Sequence, residues 1–449
     1  MIKLSLSEAV DHMDGEFYGK DRYFYGVSTD SREINPDELF FALRGPSFNG
    51  NKFSGQALMK NAAACVIDDK NFQSNETILV ENTEIALGKL AKTWRQKVTA
   101  KIIAITGSNG KTSVKEILNN CLSIPAKVLS TDGNLNNHIG LPIMLLRLDE
   151  SHEYSILEMG ANHPKEIDYL VNLTDPFVVV INNAGPAHLE GFIDIKGVAE
   201  AKGEILQGKL PPKYACLNYD DKYYDLWCEM AKNSSVISFG FNPKASVFAK
   251  DIEVNLADHV SSFTLVLPDS STNIKLPALG KHNIMNACAA ASVMHSLSMP
   301  IKSIKLGLEA PLSVPGRLNF LKGIRNHCVI DDSYNANPTS TNAAIDLLAT
   351  MKDYKCLVMG DMKELGKDSI EMHSLVGIKA KESRIDELLA IGDMTKYSVE
   401  EFGGNGYWFK TINELLCHLH KLIEDKPKMN ILVKGSRSMR MDKVIKEII

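Results

Sequence analysis

KIIAITGSNGKT, residues 101–112, places an apolar run directly before a glycine-rich turn. A helical run at residues 114–122 follows, so the pattern predicts strand, turn and helix in that order. Backbone N–H groups of such a turn, together with the start of the helix, can bind phosphate oxygens. Lys111 would neutralise the β and γ oxygens of a nucleotide, and Thr112 would offer its hydroxyl to Mg²⁺. The residues assigned to phosphate are Gly107, Ser108, Asn109, Gly110, Lys111 and Thr112.

The glycine spacing narrows the class of nucleotide-binding protein. The general pattern GxxxxGK[ST] needs glycine at position 105, where this chain has Ile105. A motor ATPase or a GTPase is therefore a poorer match than a protein that carries the shorter form GSNGKT. A turn without a ligand would have the same glycines, but the flanking strand and helix and the complete GKT favour phosphate binding.

Composition excludes several classes of partner. The net charge of -5, with 44% hydrophobic and 23% charged residues, gives no attraction to nucleic acid or to an anionic membrane surface. No segment approaches the roughly 20 apolar residues that span a bilayer. The amino terminus MIKLSLSEAVDHMDG has no apolar signal-peptide stretch, and the eight cysteines are scattered without a CxxC pair. We expect a cytoplasmic protein with reduced thiols and no membrane span.

The strand and helix signals predict an α/β protein of three domains. At 449 residues the chain exceeds one core, since a domain averages roughly 150 residues. Residues 1–99 form a small mixed α/β domain, residues 100–313 a central domain with a parallel sheet like that of P-loop ATPases, and residues 314–449 a Rossmann-like α/β domain. The strands that define the two larger sheets are predicted at residues 102–106, 154–158, 177–182, 328–332, 356–360, 388–392 and 431–435.

Two polar side chains follow neighbouring strands of the central sheet. Glu158 ends a strand in LEMGAN, and His188 follows another in NNAGPAHLEGF. Ligands gather outside the carboxyl ends of strands in open α/β sheets, so both residues would face the phosphates and suit a divalent cation. Each alone could also be a turn-capping carboxylate or a loop histidine bound to the backbone.

The chain resembles the Mur ligases over essentially its whole length. The motifs that carry the resemblance are GSNGKT, LEMGAN, NNAGPAHLEGF, GKHNIMNACAA, PGR, DDSYNANPTS, GDMKELG and KGSRSMRM. The resemblance implies an ATP-dependent ligase of peptidoglycan precursor synthesis. Such a ligase activates a carboxylate as an acyl phosphate, forms a C–N bond with an amine, and releases ADP and phosphate.

Within the family, DDSYNANP and KGSR resemble the members that join D-alanyl-D-alanine to UDP-N-acetylmuramoyl-tripeptide, and a DNPR-type motif is missing. The implied cofactors are ATP and Mg²⁺, and the expected state is a monomer. Two alternatives stay open. One is a related Mur or folylpolyglutamate-type ligase that adds a single amino acid, and the other is an inactive nucleotide-binding relative.

The resemblance also assigns residues to the reaction. Lys111, Lys202, His188 and Asn137 are the implied catalytic residues. Lys202 would be carbamylated and would hold the metal with Thr112, Glu158 and His188. Contacts to ATP are implied for Asn283, Asn286, Arg317 and Asp332. Taken alone, the last four could equally be a helix-packing amide pair, a hinge arginine and a turn aspartate.

Three further segments are implied to bind substrates. Residues 131–138, completed by Gly140 and Pro142, resemble the family loop GNxNNxxGxP, with Asn134 and Asn137 as donors; a simple turn is the alternative. In the first domain, Ser28, Thr29, Ser31 and Arg32 would hold the uridine nucleotide. The family often continues with DGH there, whereas this chain has Asn49-Gly50-Asn51. Lys363, Ser436 and Arg437 would meet the dipeptide, or could be exposed loop residues.

Overall fold

Three β-sheets, each covered by helices, organise the chain. The computed structural model describes residues 1–186, 189–256, 258–312 and 314–449. The predicted residue His188 therefore lies outside the described residues. The predicted α/β fold of three domains is confirmed. Among the helices of the described residues, none combines the length and the apolar character that crossing a bilayer requires.

The first sheet has five strands in the order β2, β9, β8, β5, β4, and two short antiparallel pairs, β1 with β3 and β6 with β7, lie beside it. Strands β4, β5, β8 and β9 are parallel, and β2 runs antiparallel at the edge. The elements are β1 Lys3–Ser5, α1 Leu6–Met13, β2 Glu16–Tyr18, β3 Tyr23–Tyr25, β4 Val27–Ser28, β5 Leu39–Phe41, β6 Arg44–Gly45, β7 Phe48–Asn49, α2 Ser54–Met59, β8 Ala64–Ile67, β9 Thr77–Leu79 and α3 Thr83–Lys97.

The central sheet has nine strands in the order β11, β12, β10, β13, β14, β15, β16, β17, β18, in which β17 runs antiparallel to both of its neighbours and all other neighbouring pairs are parallel. The elements are β10 Lys101–Thr106, α4 Lys111–Leu122, β11 Val128–Ser130, α5 Gly140–Leu146, β12 Tyr154–Glu158, α6 Glu166–Thr174, β13 Val178–Ile181, α7 Leu189–Phe192, α8 Ile195–Gly203, β14 Tyr214–Asn218, α9 Tyr224–Met230, β15 Ser235–Gly240, β16 Val247–Asn255, β17 Val260–Val266, β18 Ser271–Leu276, α10 Lys281–Ser296 and α11 Ile301–Leu308.

The third sheet has six strands in the order β19, β20, β24, β21, β22, β23, and all but β19 are parallel. The elements are β19 Asn319–Lys322, β20 Cys328–Asp332, α12 Pro338–Ala349, β21 Tyr354–Gly360, α13 Ser369–Glu382, β22 Glu387–Ile391, α14 Thr395–Phe402, β23 Gly406–Phe409, α15 Ile412–Asp425, β24 Met429–Lys434 and α16 Asp442–Ile448. Short 3-10 turns are Gly50–Phe53, Lys70–Phe72, Glu204–Leu206, Ile324–Asn326, Gly366–Asp368 and Arg437–Met439.

Strand β10 shows how an apolar run builds two cores. Ile102 and Ala104 pack into one apolar cluster, while Ile103 and Ile105 pack into another on the opposite face. Successive side chains of a strand point to opposite faces, so a strand buried on both faces needs apolar residues at every position. The strand therefore anchors the centre of the sheet, with β12 and β13 on either side.

Candidate active site

The phosphate loop, residues 107–112, lies at the carboxyl end of β10 and leads into α4. Gly110 precedes α4 with a positive φ of 82°. A Cβ at this position would lie 2.3 Å from Asn182 Nδ2 and 2.3 Å from Asn286 Oδ1. Glycine is thus required both for the left-handed backbone and for the close approach of two amide side chains.

Amide side chains from the next strand fix the shape of the loop. Asn183 Oδ1 accepts a hydrogen bond from the Asn109 backbone N–H at 2.8 Å, and Asn182 Nδ2 donates to the Asn109 carbonyl at 2.9 Å. The same Asn182 amide donates to Asn286 Oδ1 at 2.8 Å. Ser108 Oγ donates to the Gly185 carbonyl at 3.1 Å. The loop is therefore held in shape by the protein itself, which lowers the entropic cost of binding phosphate.

Glu158 and Thr112 form the acidic side of the site. Thr112 Oγ1 donates to Glu158 Oε2 at 3.2 Å, and Glu158 is only 2% exposed. Its other oxygen, Oε1, is buried and has no hydrogen-bond partner within the described residues. A buried carboxylate oxygen without a partner is costly, so the geometry calls for a cation at this oxygen.

Lys111 is the cationic side chain of the phosphate loop. Its Nζ donates to the Gly107 carbonyl at 2.6 Å. Burial lowers the pKa of Lys111 to about 8; the Glu158 carboxylate opposes this shift and the Arg317 guanidinium adds to it. Anionic phosphate at the loop would raise the pKa of Lys111 again, because it favours the charged amine.

Lys202 lies on α8 and is 3% exposed. Burial, with the nearby Lys111 charge, lowers the pKa of Lys202 well below its ordinary value. A lowered pKa favours the neutral amine, which is the form that reacts with electrophiles.

The donor set fits Mg²⁺ in part. Among the described residues, no group of three or more His, Cys, Asp or Glu side chains is placed to hold a metal. Glu158 nevertheless offers the unpartnered oxygen, and Thr112 offers a hydroxyl next to it. Hard oxygen donors of this kind suit Mg²⁺, which usually takes only one or two protein ligands beside phosphate oxygens.

A cavity of about 270 Å³ lies between the central and third domains, beside the first turn of α4. Arg317 lies over the Tyr334 ring at 4.4 Å, and its Nε has no hydrogen-bond partner in the described parts of the chain. Asn283 lines the cavity and donates to the Leu279 carbonyl at 2.9 Å. Of the predicted amide pair, Asn283 therefore borders the cavity, while Asn286 contacts the phosphate loop.

Asp332, at the end of β20, is buried against the third-domain lysine Lys434. Lys434 Nζ also donates to the Asn335 carbonyl at 3.0 Å. Burial raises the pKa of Asp332, and the charges of Lys434 and Arg317 act in the opposite direction. The predicted nucleotide contact of Asp332 therefore stays a prediction, and the structure adds an ion pair that the motif alone did not indicate.

The segment 131–140 reaches the same rim. Asn137 Oδ1 accepts from the Gly140 backbone N–H at 2.9 Å, which stabilises the start of α5, while Asn134 is exposed. The Asn136 carbonyl accepts from the Gly160 N–H at 2.9 Å. The loop is thus tied to the LEMGAN segment, with the Asn134 side chain available to a ligand.

Third-domain loops bring the predicted dipeptide residues together. Ser436 Oγ accepts from the Lys363 backbone N–H at 2.8 Å, and Lys363 Nζ donates to Asp361 Oδ2 at 2.8 Å. The Arg437 guanidinium is 5.5 Å from the centre of the Tyr334 ring, so Arg317 and Arg437 approach the same aromatic side chain. Arg317 and Arg437 therefore form one basic group at the boundary between the central and third domains, which we call the seam.

The predicted uridine segment is more open. Arg32 pairs with Asp30 at 2.6 Å, and its side chain is 81% exposed. Ser31 Oγ donates to Gln56 Oε1 at 2.9 Å. Ser28 Oγ hydrogen-bonds the Asp30 carbonyl, and Thr29 is half-buried.

Asn49-Gly50-Asn51, which stands where the family often has DGH, forms a turn stabilised by hydrogen bonds. Asn51 is fully buried, and its Nδ2 donates to Asn49 Oδ1 and to Asp68 Oδ1, at 2.8 Å in both cases. This turn is therefore held by amide contacts inside the first domain.

Sequence reasoning missed several residues of the site. Asn182, Asn183 and Asn337 contact Asn109, and Lys434 contacts Asp332. All four stand inside motifs that the sequence displays, namely NNAGPAHLEGF, DDSYNANPTS and KGSRSMRM. The motifs were visible, but which asparagine faces the loop depends on strand register and on the docking of another domain.

Comparison with known families covers most of the chain. Residues 23–95 match the model described as Mur ligase family, catalytic domain. Residues 105–294 match the Mur ligase middle domain, and residues 316–437 match the Mur ligase, glutamate ligase domain.

Individual relatives match over the full length. The UDP-N-acetylmuramoyl-tripeptide--D-alanyl-D-alanine ligase of Escherichia coli (strain K12) is 40% identical over 448 residues, which is 100% of this chain and 99% of the relative. A crystal structure of MurF from Acinetobacter baumannii has a TM-score of 0.93 at 34% identity, covering 100% of this chain and 99% of that one. The MurF ligase of Thermotoga maritima in complex with ADP has a TM-score of 0.84 at 28% identity, covering 94% and 96%.

Proposed function

This chain belongs to the Mur ligase family, and we propose that it joins D-alanyl-D-alanine to UDP-N-acetylmuramoyl-tripeptide with conversion of ATP to ADP and phosphate. The observation that carries the proposal is the full-length 40% identity to the E. coli enzyme of that name. The phosphate loop, with the unpartnered Glu158 oxygen beside it, supplies the chemical basis.

The reaction proceeds in two steps. The terminal carboxylate of the tripeptide attacks the γ-phosphorus of ATP, which forms an acyl phosphate and releases ADP. The amine of D-alanyl-D-alanine then attacks the acyl carbon, and the tetrahedral intermediate expels phosphate as the amide forms. No protein nucleophile takes part, so the residues act by positioning the reactants and by stabilising charge.

Different residues between the central and third domains position the reactants and stabilise the charge. Lys111 and the N–H groups at the start of α4 bind the phosphates of ATP, while Asn283 and Arg317 border the cavity for the rest of the nucleotide. Asn137 fixes the loop that presents Asn134 to the reacting carboxylate. Docking of the third domain over this site would exclude water that hydrolyses an acyl phosphate.

Thr112, Glu158, His188 and a carbamylated Lys202 would hold Mg²⁺. Two observations support this set: the buried Glu158 Oε1, which has no partner among the described residues, and the lowered pKa of Lys202, which favours the neutral amine that CO₂ needs. When bound, the cation neutralises the charge that builds up on the phosphoryl oxygens.

Substrate binding is assigned to the two outer domains. Ser28, Thr29, Ser31 and Arg32 would contact the uridine nucleotide of the first substrate. Lys363, Ser436 and Arg437 would bind the dipeptide, whose terminal carboxylate suits an arginine through paired hydrogen bonds. Their grouping around Asp361 and Tyr334 supports one common binding role.

We place the domain boundaries at residues 1–99, 100–313 and 314–449, for the uridine substrate, for ATP and for the amine substrate. The separation of the three sheets supports this division. We propose that the protein is cytoplasmic, since ATP is the phosphoryl donor and all eight cysteines are free thiols, and that it acts as a monomer.

A mass-spectrometric assay tests the proposal. Purified protein is incubated with ATP, Mg²⁺ and UDP-muramoyl-tripeptide, together with either D-alanyl-D-alanine or single amino acids. We expect the pentapeptide product and one phosphate per product with the dipeptide. Incorporation of single amino acids alone would favour the single-residue ligase, and no phosphate release with any amine would favour the inactive relative.

A further inference from the structure

A side chain of the third domain contacts the phosphate loop across the seam. Asn337 precedes α12, and its Nδ2 donates to Asn109 Oδ1 at 2.8 Å. The other atom of the same amide, Oδ1, accepts from the Ser340 backbone N–H at 2.9 Å and so caps the helix. One asparagine therefore begins a third-domain helix and bonds the nucleotide loop of the central domain.

Asn109 is the point where the loop is held. Its backbone N–H bonds Asn183, and its carbonyl accepts from both Asn182 and Asn183. These contacts lie inside the central domain, whereas the contact of its side-chain oxygen reaches the third domain. The conformation of the Asn109 side chain thus depends on where the third domain lies.

A second contact supports close packing of α12 against the phosphate loop and the segment beside it. A Cβ built on Gly185 would lie 3.4 Å from Thr339 Oγ1, in the first turn of α12. Gly185 also bonds Ser108 of the phosphate loop through its backbone N–H and carbonyl. The start of α12 therefore packs against both segments that shape the phosphate site.

We propose that Asn337 is a positioning residue of the ligase reaction, which acts through Asn109 to couple docking of the third domain to the geometry of the phosphate loop. The third domain carries Lys363, Ser436 and Arg437, the residues assigned to the amine substrate. Phosphoryl transfer is then fastest when the domain that delivers the amine is docked, which limits wasteful loss of the acyl phosphate to water. This inference rests on the proposed ligase function.

Three variants distinguish the role of the Asn337–Asn109 hydrogen bond, called the link below, from the role of the helix cap. Asn337→Ser keeps a good N-cap residue but removes the amide that reaches Asn109. Asn109→Ala removes the partner oxygen while the backbone bonds to Asn182 and Asn183 stay. Ser340→Ala weakens the capping box, in which Ser340 Oγ accepts from the Asn337 N–H at 3.2 Å, and leaves the link in place.

The experiment measures the rate of acyl phosphate formation in a single turnover, with kcat and KM for each substrate. We expect Asn337→Ser and Asn109→Ala each to lower the rate by roughly three- to tenfold, the contribution of one neutral hydrogen bond. The double variant should lose no more than either single variant. KM for the uridine substrate should stay unchanged, and Ser340→Ala should lower Tm without slowing phosphoryl transfer.

The opposite results would overturn the inference. If the losses of the two single variants multiply in the double variant, the residues act separately. If Ser340→Ala slows phosphoryl transfer as much as Asn337→Ser, the cap matters and the link does not. An inactive wild-type protein would refute the ligase function itself, whereas an active wild-type protein with multiplying losses would refute this inference alone.

Discussion

The central domain meets its two neighbours through different surfaces. Toward the first domain it shares one continuous apolar cluster, in which Leu87 and Leu90 of α3 pack with Leu141 and Leu145 of α5. Toward the third domain the buried apolar clusters are separate, and the partly buried Met372 of α13 packs against both the shared core and a core of the third domain. The second seam instead contains a cavity, the Asn109–Asn337 hydrogen bond and several basic side chains.

The difference indicates where ligands contribute free energy. The first seam is stabilised by burial of apolar surface, which needs no ligand. At the second seam Glu158 Oε1 and Arg317 Nε are buried without partners among the described residues, and two lysines have lowered pKa values. Such groups gain most from an anionic nucleotide and a cation, so this seam is the one that ligands are expected to close.

Loss of Lys111 should have the largest effect on turnover. In Lys111→Ala the phosphates lose the cation nearest to them, and we expect kcat/KM for ATP to fall roughly 10²- to 10³-fold. Lys101→Ala is the matched control, because Lys101 is exposed and begins β10, at the end of that strand opposite to the phosphate loop. Steady-state phosphate release measures both. Near wild-type turnover of Lys111→Ala would remove this lysine from the mechanism.

Lys202→Ala should be the next most damaging change. If a carbamylated Lys202 supports the cation, we expect a loss of about a hundredfold, partly restored by added acetate or formate. Lys196→Ala on the same helix is the control, since Lys196 is exposed and paired with Glu200. Activity is measured with increasing carboxylate. Full activity of Lys202→Ala without rescue agents would contradict the assignment.

A pH dependence should follow from Lys111. Its lowered pKa of about 8 means that the free protein loses this positive charge as pH rises through that value. We expect the affinity for ADP to fall by up to about tenfold per pH unit above it. Because the Glu158 carboxylate raises the pKa of Lys111, Glu158→Gln should move the midpoint to lower pH. Calorimetric titrations with ADP across this pH range test the prediction. An unchanged midpoint in Glu158→Gln would contradict the interaction between Glu158 and Lys111.

Substitutions in the apolar core between the first and central domains should lower the stability of the protein and hardly change its turnover. Leu87 is fully buried in the shared core, so Leu87→Ala should lower the free energy of unfolding by roughly 2 to 5 kcal/mol. Leu87 belongs to the apolar core shared by the first and central domains and contributes no group to the polar site, so we expect an unchanged kcat for the folded protein. Ile85→Ala, at an exposed position of the same helix, is the control. Denaturant titration and the ligase assay together test this, and a fall in kcat would show that the two seams are coupled.

Much of the fold was predictable because its signals are local. The apolar run at residues 102–106, the glycines at 107 and 110 and the helix after them specify strand, turn and helix without distant contacts. The strand predicted at residues 154–158 agrees with Tyr154–Glu158, and the strand predicted at residues 328–332 agrees with Cys328–Asp332. The site assignments stay predictions, although the structure brings Lys111, Thr112 and Glu158 to one rim.

The sequence by itself determined the strand, phosphate loop and helix, the family motifs and the chemical types available for catalysis, because backbone propensity and apolar periodicity act over a few residues. Only the tertiary structure decided that Asn182 and Asn286 contact Gly110, that Asn337 reaches Asn109, and that Lys434 pairs with Asp332. Those contacts join residues up to 228 positions apart. They depend on strand order and domain docking, which no local pattern encodes.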